Sequence, residues 1–288
     1  MKAVFKRELH SYFMGITGYV FCFLLLIIVG VNAYFRNVNN LLVDFETTLG
    51  VSSYLFLMLA VPILSMRIIA EERKQNTDKL LYSLPLSSFQ IVIAKYLAMI
   101  VVFVIPLAMI SLYPIILSQY GAVTLVTCYS TLVAFFLLGA AMLALGMFMS
   151  SLTDNQIIAA VLTFVIIISN YFLSGYASDI NGTAATSVII ISCLIVVIGI
   201  VLYIMTKHLL LSLTTAAIFE VILILIYILK KVWLENLVYQ IAISISAFKR
   251  LNTFVNDIFD LTGVVFYLSV SALFIFFTIQ SFEKRRWS

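Results

Sequence analysis

Charged side chains that could pair with a partner or with one another are concentrated in one short stretch, Arg67–Lys95. The stretch reads RIIAEERKQNTDKLLYSLPLSSFQIVIAK and holds five basic and three acidic residues. Charge is scarce elsewhere, since only 10% of the 288 residues are charged. Mixed acidic and basic side chains form ion pairs and charge-assisted hydrogen bonds. The stretch does not carry a nucleophile with its base, so its chemistry is that of recognition.

The middle of this stretch has the pattern of a short amphipathic helix. Thr77 suits the N-cap position, and Asp78 is favourable in the first turn. Pro85 ends the helix, because proline disfavours helix in the preceding residue and cannot continue the hydrogen-bond ladder. Ser87 or Ser88 can then cap the next helix. Three leucines form the apolar face: Leu80, Leu81 and Leu84.

Two interpretations of the stretch are open. A short rigid helix held between two membrane spans would transmit force from a cytoplasmic partner. The same residues would suit an ordinary solvated loop that obeys the positive-inside rule. Glu71 and Glu72 stand where the preceding helix leaves the membrane, and Lys95 stands near the cytoplasmic entrance of the next helix.

The sequence lacks the motifs of a nucleotide-binding or metal-dependent enzyme. It contains no G-x-x-x-x-G-K-[ST] phosphate loop, no H-E-x-x-H and no paired C-x-x-C. Its three cysteines, Cys22, Cys128 and Cys193, are scattered through apolar runs and do not form a metal cluster. We therefore expect no catalytic residue, no metal and no cofactor in this chain. If ATP drives the protein, another chain binds and hydrolyses it.

Polar residues inside apolar runs are a second set of candidates. Glu220 lies near the middle of LTTAAIFEVILILIY, where an ionisable group is costly and marks function by default. A protonated carboxyl bonded to Thr214, Thr215 or a neighbouring span is the alternative, and we favour a structural or subunit-packing role. Asn170 could line a pathway or join two helices. A run of small residues permits close helix packing, within one bundle or between two copies of the chain: Gly139, Ala140, Ala141, Ala144 and Gly146.

The composition requires that lipid, and not water, surrounds most of the chain. Hydrophobic residues make up 64% of it, and the mean hydropathy is +1.16. Soluble domains carry roughly 45–50% apolar and about 25% charged residues. We expect a multi-pass protein of the cell membrane that contacts lipid and no nucleic acid.

Eight segments are long and apolar enough to cross a bilayer as helices, which need about 20 apolar residues each. They are Gly15–Phe35, Val51–Ile69, Ile91–Leu117, Ala122–Met149, Ile157–Tyr176, Ser187–Met205, Leu209–Leu229 and Gly263–Phe282. With the N-terminus inside, the cytoplasmic segments hold twelve of the seventeen Lys and Arg residues. The positive-inside rule therefore places both termini in the cytoplasm, although Lys230 and Lys231 fall outside.

Two further stretches are amphipathic. Residues 1–14 alternate apolar and basic side chains at helical spacing, which predicts a helix along the cytoplasmic leaflet that faces anionic head groups. Residues 232–262 predict one or two short helices on the extracytoplasmic face. Residues 1–288 are expected to form a single all-α membrane domain.

The order of these features resembles that of the type-2 ABC transporter permeases. The branch it resembles includes gliding-motility permeases and those serving nitrous-oxide reductase maturation. Three segments carry the resemblance: FKRELHSYF, PILSMRIIAEERKQNTDKLLYSLPLSSFQIVIAKYLA and FVNDIFDLTGVVFYLSVSALFIFFTIQSFEKRRW. With the spans between them, they frame nearly the whole chain.

The resemblance implies an ATP-driven exporter of the bacterial inner membrane, coupled to a separate cytoplasmic ATPase. Residues 1–14 would be an elbow helix, and the loop 70–90 would hold the coupling helix that docks on the ATPase. A second permease copy or homologue is implied, and an extracytoplasmic accessory subunit is compatible with it. Carried over by position, the ATPase-coupling residues are Glu71, Glu72, Thr77, Leu80, Leu81, Pro85 and Lys95.

The chain departs from the family pattern in two places. A Gly-Thr with an acidic residue two positions later is common in the family, whereas this chain has Asn76-Thr77-Asp78-Lys79. The family core also has six spans, and residues 187–229 would add a hairpin to it. Two other classes stay open: an ion-coupled secondary transporter that uses Glu220, and a membrane-embedded transferase.

Overall fold

The computed structural model describes residues 1–75, 77, 86–176, 183–192, 195, 209–229 and 234–286. Within these ranges all regular structure is helical, as the composition predicts. The helices are α1 Lys2–Met14, α2 Thr17–Ala33, α3 Phe45–Ser65, α4 Ala70–Lys74, α5 Ser88–Ile110, α6 Tyr113–Leu117, α7 Leu125–Leu152, α8 Gln156–Tyr176, α9 Leu209–Leu229, α10 Leu237–Ile245, α11 Ala247–Val255 and α12 Leu261–Arg286. A π-helix, Tyr34–Asn39, extends α2.

Six of the described helical runs are long and apolar enough to cross a membrane. They are Thr17–Asn39, Phe45–Lys74, Ser88–Leu117, Leu125–Leu152, Gln156–Leu173 and Leu261–Arg286. These runs correspond to the first five expected spans and the last one. The seventh expected span coincides with α9, of which Ala217–Tyr227 is a shorter apolar run. The sixth, Ser187–Met205, lies mostly outside the described residues.

The chain divides into two compact units. One unit combines Met1–Ser169 with Ala247–Ser288, and the other is Asn170–Ser246. The first unit contains the N-terminal helix, the first four membrane-spanning runs, most of the fifth and the last one. In the second unit, Leu223 of α9 packs with Ala184 and Leu234 in a small apolar core.

Capping side chains set the starts of two helices in the first unit. The side chain of Asp44 accepts a hydrogen bond of 3.0 Å from the amide of Thr47 at the start of α3. Ser87 accepts one of 3.3 Å from the amide of Gln90 at the start of α5, as the sequence predicts. Both bonds occupy backbone donors that a helix start otherwise leaves without a partner.

An aromatic cluster holds the first unit together. It joins Phe21 of α2, Phe56 of α3, Phe103 of α5 and Phe135 of α7, all of them fully buried. Phe56 and Phe103 stack with ring centroids 6.0 Å apart, and Phe21 meets Phe56 edge-on at 5.2 Å. Offset and edge-to-face rings at such distances add to the free energy of packing beyond their buried area.

Small residues on α7 let neighbouring helices approach it closely. A Cβ atom at Gly139 would collide with the ring of Phe103, and one at Gly146 would collide with Ser65 and approach Thr163 at 3.2 Å. The small-residue run therefore packs inside this bundle.

The stretch 232–262 contains the expected short helices, α10 and α11. Helix α11 packs on α3 and α7 near the ends where these two helices begin. The hydroxyl of Thr131 donates a hydrogen bond of 3.0 Å to the carbonyl of Phe254, and Tyr54 donates one of 2.5 Å to Asn252. These contacts lie at the end of the bundle opposite to the charged residues described next.

Candidate functional site

Charged side chains from four helical segments meet where α3 gives way to α4. Arg7 and Glu8 come from α1, Arg67 from the turn after α3, and the others from α4 and α5. We call this cluster the polar junction, and its members are Arg7, Glu8, Arg67, Glu71, Glu72 and Lys95. It lies at the end of the bundle that contains both chain termini, because Arg7 of α1 contacts Glu72 while Arg286 of α12 contacts Leu86.

Lys95 is the centre of the polar junction, and its side chain is fully buried. Its ammonium nitrogen Nζ lies 2.7 Å from Glu72 Oε2 and 3.1 Å from Glu8 Oε1. It also donates a hydrogen bond of 2.9 Å to the carbonyl of Ile68. Lys95 therefore donates two hydrogen bonds, to Glu8 and to Ile68, and its contact with Glu72 is an ion pair. A single side chain of α5 thus holds α1, the turn after α3 and α4 together.

Arg7 forms ion pairs with the same two glutamates, Glu8 and Glu72. Its Nη2 lies 2.5 Å from Glu8 and 2.5 Å from Glu72. Burial alone would raise the pKa of Glu8, but Lys95 and Arg7 outweigh it, so that the pKa of this carboxyl is lowered. Glu8 is therefore an ionised partner at neutral pH.

Arg67 forms a second pairing at the edge of the polar junction. Its Nε and Nη2 donate to the two carboxylate oxygens of Glu71 at 2.6 and 3.1 Å. Its Nη1 donates at 3.1 Å to the hydroxyl of Thr17, the first residue of α2. The two-pronged geometry fixes the direction of the guanidinium. The start of the first span is thereby joined to the beginning of α4.

The chain breaks its helix at residues 66–69, and α7 supplies the missing hydrogen bonds. Ser150 Oγ accepts from the amides of Ile69 at 3.3 Å and Ala70 at 3.0 Å. The same hydroxyl donates to the carbonyl of Met66 at 3.1 Å. The Ser150 hydroxyl and the amides of Ile69 and Ala70 are buried, where an unmatched amide costs free energy. The C-terminal end of α7 therefore completes the break between α3 and α4.

The neighbouring carbonyl of Ser151 connects two more elements. Arg73 of α4 donates to it through Nη1, and Ser281 of α12 donates to it at 3.0 Å. The loop after α7 is tied to the same helix, since Arg285 lies 2.7 Å from Asp154. The segment before residue 76 is thus anchored to α1, α5 and α7, and Leu86 beyond residue 85 contacts Arg286 at 3.4 Å.

The expected coupling residues divide into two groups. The structure brings Glu71, Glu72 and Lys95 together in the polar junction. Thr77 donates its amide and its hydroxyl to the carbonyl of Glu72 at 2.9 and 3.2 Å, and so extends the turn after α4. The short helix that Thr77 would cap lies outside the described residues, as do Leu80 and Leu81 on its apolar face and Pro85 at its end.

The two intramembrane candidates have partners within the second unit. Ser192 donates a hydrogen bond of 2.7 Å to Glu220 Oε1, so that a helical segment next to α9 supplies the contact. Asn170 donates one of 3.0 Å to the carbonyl of Ile245, at the end of α10. Each polar group therefore joins two elements of one unit. Within the described residues, no group of three or more His, Cys, Asp or Glu side chains could hold a metal ion.

Sequence reasoning did not single out Glu8 or Ser150, although both are central to the site. Glu8 is the only acidic residue in FKRELHSYF, where every other charged group is basic. A lone carboxylate on an otherwise basic helix indicates a specific partner. Ser150 follows the small-residue run of α7, and only the fold shows that the break after α3 lies against it.

Comparison with known proteins agrees with this arrangement. A family model described as ABC-2 family transporter protein matches residues 5–170, which is more than half of the chain. No curated protein matches the chain. Residues 5–170 include nearly all of α1, the polar junction and the first five membrane-spanning runs. The transferase and the ion-coupled transporter are therefore set aside. The chain belongs to the ABC-2 transporter family: it is a multi-pass permease subunit of an ABC transporter in the cell membrane, a transport subunit rather than an enzyme, of a family whose members pair with an ATPase subunit.

Proposed function

We propose that this permease is the membrane subunit of an exporter and is driven by a cytoplasmic ATPase that docks on residues 70–90. ATP would be bound by the ATPase, and the permease would need no cofactor of its own. The observation that carries the proposal is the anchoring of this loop. Residues 71–73 and Leu86, which flank its centre, contact four different helices through charged or polar side chains.

The anchoring suggests how force would pass from the ATPase to the spans. A displacement of α4 moves Glu72, and with it Lys95 of α5 and Arg7 of α1. The same displacement moves the amide of Ala70 against Ser150 of α7. ATP binding would shift the equilibrium between two arrangements of the spans, in proportion to its different affinity for each of them.

We propose the following topology. Both termini lie in the cytoplasm, α1 is an elbow helix at the inner leaflet, and α10 and α11 lie on the extracytoplasmic face. Eight spans form one permease domain, with residues 187–229 as a hairpin added to a six-span core. Contacts of the loop 70–90 with both α1 and α12 support a common side for the two termini and the loop.

We further propose that two permeases, identical or similar, assemble on two ATPase subunits, with an extracytoplasmic accessory subunit as a possible addition. The resemblance to the gliding-motility and nitrous-oxide-reductase-maturation branch supports this assembly. Glu220 and Asn170 would have structural or subunit-packing roles, which agrees with their contacts to Ser192 and Ile245.

Cysteine cross-linking tests the docking site. In a background in which Cys22, Cys128 and Cys193 are replaced by serine, Thr77→Cys places a thiol in the loop. Leu41→Cys places one at the opposite end of the bundle, where Leu41 is 82% exposed. A partner ATPase that carries a bifunctional thiol reagent should cross-link to position 77 and not to position 41. Cross-linking at 41 alone, or at neither position in an assembly active in ATP hydrolysis, would overturn the proposal.

A further inference from the structure

A cavity of about 310 Å³ lies beside the polar junction, between α1 and α4. Ser11 and Tyr12 of α1 line one side of it, and Glu71 and Glu72 of α4 line the other. Arg7 and Arg67 also face the cavity. Its size is near the lower end of the range for small-molecule sites, about 300–1,000 Å³.

The walls of the cavity carry balanced charge. Arg7 and Arg67 line it together with Glu8, Glu71 and Glu72. Lys95 contributes a third positive charge behind Glu8 and Glu72. Because three positive and three negative groups balance, the cavity has no net charge that would attract a simple anion or cation. A ligand with both charges, separated by a short linker, would complement such a wall.

The charged groups retain capacity for a ligand. The ion pairs of Arg7 with described residues use Nη2 alone, and a guanidinium carries five N–H donors in total. Each carboxylate offers about four acceptor positions, so that Glu71 can accept from a ligand while it stays paired with Arg67. Ligand binding therefore does not require that the existing ion pairs break.

Exposed apolar residues mark the membrane side of the cavity. Met14 and Ile16, which connect α1 to α2, are 77% and 76% exposed. Thr17, the first residue of the first span, lines the cavity itself. The cavity therefore adjoins an apolar surface at the level where a span begins. A ligand with acyl chains could place its head group among the charges and its chains against these apolar residues.

We propose that this cavity binds the head group of a zwitterionic phospholipid with a primary amine, of the phosphatidylethanolamine type. The phosphate would accept from Arg7 and Arg67, and the ammonium would donate to Glu71 and Glu72. A choline head group has the same charges but no N–H donor, so it would bind more weakly. The inference rests on the proposed placement of α1 at the inner leaflet. It gives the polar junction a lipid partner.

Native mass spectrometry of the detergent-purified permease, without its ATPase, tests the proposal. The probes are phosphatidylethanolamine, phosphatidylcholine and phosphatidylglycerol of identical acyl chains. Phosphatidylethanolamine can donate a charge-assisted hydrogen bond from its ammonium, and phosphatidylcholine cannot. We therefore expect about tenfold tighter retention of phosphatidylethanolamine. Glu71→Gln should reduce that preference by about tenfold. Glu283→Gln, an exposed glutamate at the same end of α12, should leave it unchanged.

A second variant tests the lipid site without changing any residue of the ion pairs. Ser11→Phe places a ring in the cavity without removing any charge, and it should abolish the preference while the protein stays folded. Equal retention of the three lipids, a preference for phosphatidylglycerol, or displacement of lipid by soluble phosphoethanolamine would each overturn the proposal. Since lipid retention is measured without the ATPase, it can fail while the docking proposal stands, and the converse also holds.

Discussion

The ammonium of Lys95 lies 2.7 Å from the carboxylate of Glu72, inside a bundle in which no part of the lysine side chain reaches solvent. The sequence predicts Lys95 at the cytoplasmic entrance of a span. Its side chain instead lies inside the bundle and connects neighbouring helical segments there. It does not present its charge to a partner in this conformation. The contacts of Lys95 link the loop 70–90 to α1 and α5.

Replacement of Lys95 by Met should strongly destabilise the permease. Glu8 and Glu72 would then keep only the half-exposed Arg7 as a shared cation in a mostly buried site, and removal of one member of a buried ion pair costs about 3–5 kcal/mol. Thermal unfolding in detergent measures the effect. Lys74→Met, at an exposed lysine of α4, serves as the matched control and should change the unfolding temperature little. Equal unfolding temperatures for the two variants would contradict the assigned role.

The contribution of Glu8 to stability should depend on pH. Its pKa is lowered in the folded protein, so the stabilisation is present above the unfolded value of about 4.3 and is lost as the pH falls through the lower folded value. Glu8→Gln should therefore be less stable than the natural protein at pH 7. The gap in unfolding temperature should narrow below about pH 4.3. A gap that stays constant down to acid pH would show that the charge of Glu8 is irrelevant.

Loss of the Ser150 hydroxyl should loosen the break between α3 and α4. Ser150→Ala leaves the buried amides of Ile69 and Ala70 without this acceptor, at a cost of about 1–3 kcal/mol. Hydrogen exchange at residues 66–72 should become faster. Ser269→Ala, where an exposed hydroxyl donates to the carbonyl of Val265 in its own helix, should not change the exchange in these residues. Unchanged exchange in Ser150→Ala would mean that other groups, such as water, satisfy the break.

Two glycine substitutions separate steric packing from helix propensity. A Cβ at Gly146 would collide with Ser65, whereas one at Gly175 would meet no heavy atom of the described residues within 4 Å. Gly146→Ala should destabilise the bundle by about 1–3 kcal/mol through overpacking. Gly175→Ala should leave stability equal or higher by up to about 1 kcal/mol, because alanine favours helix. Denaturation in mixed micelles compares the two, and a similar gain in both would show that α7 can move away.

The docking proposal predicts that Leu81→Asp uncouples the transporter. A carboxylate in place of an apolar contact at a protein interface costs about 2 kcal/mol or more, which is at least about tenfold in affinity. ATPase retention during purification and transport in vesicles should both fall by that factor, while the permease still inserts. Leu81→Ile retains an apolar side chain and should preserve both. Full retention and transport in Leu81→Asp would remove the basis for the proposed site.

The sequence predicts the helices well and the joints between them poorly. Seven of the eight expected apolar runs overlap described helices, because lipid requires each span to satisfy its own backbone groups, whereas the sixth lies mostly outside the described residues. Of the two observed N-caps, Asp44 and Ser87, the sequence predicts only Ser87. Ser87 follows a proline that marks where the preceding element ends, and Asp44 does not. The break at residues 66–69 has no local signal. Ser150, which makes it possible, is about 80 residues away in sequence.

The same distinction applies to the site. Glu71, Glu72 and Lys95 were found because charge is scarce in an apolar chain. Burial of Lys95 was not predicted, since a positive residue at a span end is compatible with both a solvated and an internal position. The network depends on Glu8 of α1, which meets Lys95 across 87 residues of sequence. Pairing over such distances follows from packing, which composition and spacing do not specify.

The dependence of the α3–α4 break on Ser150 has a consequence for biogenesis. The amides of Ile69 and Ala70 obtain this acceptor only after the ribosome has made about 80 further residues. Until α7 enters the bilayer, these two amides at the C-terminal end of the second span need water as their acceptor. The break between α3 and α4 can therefore take its final hydrogen bonds only after α7 has been inserted.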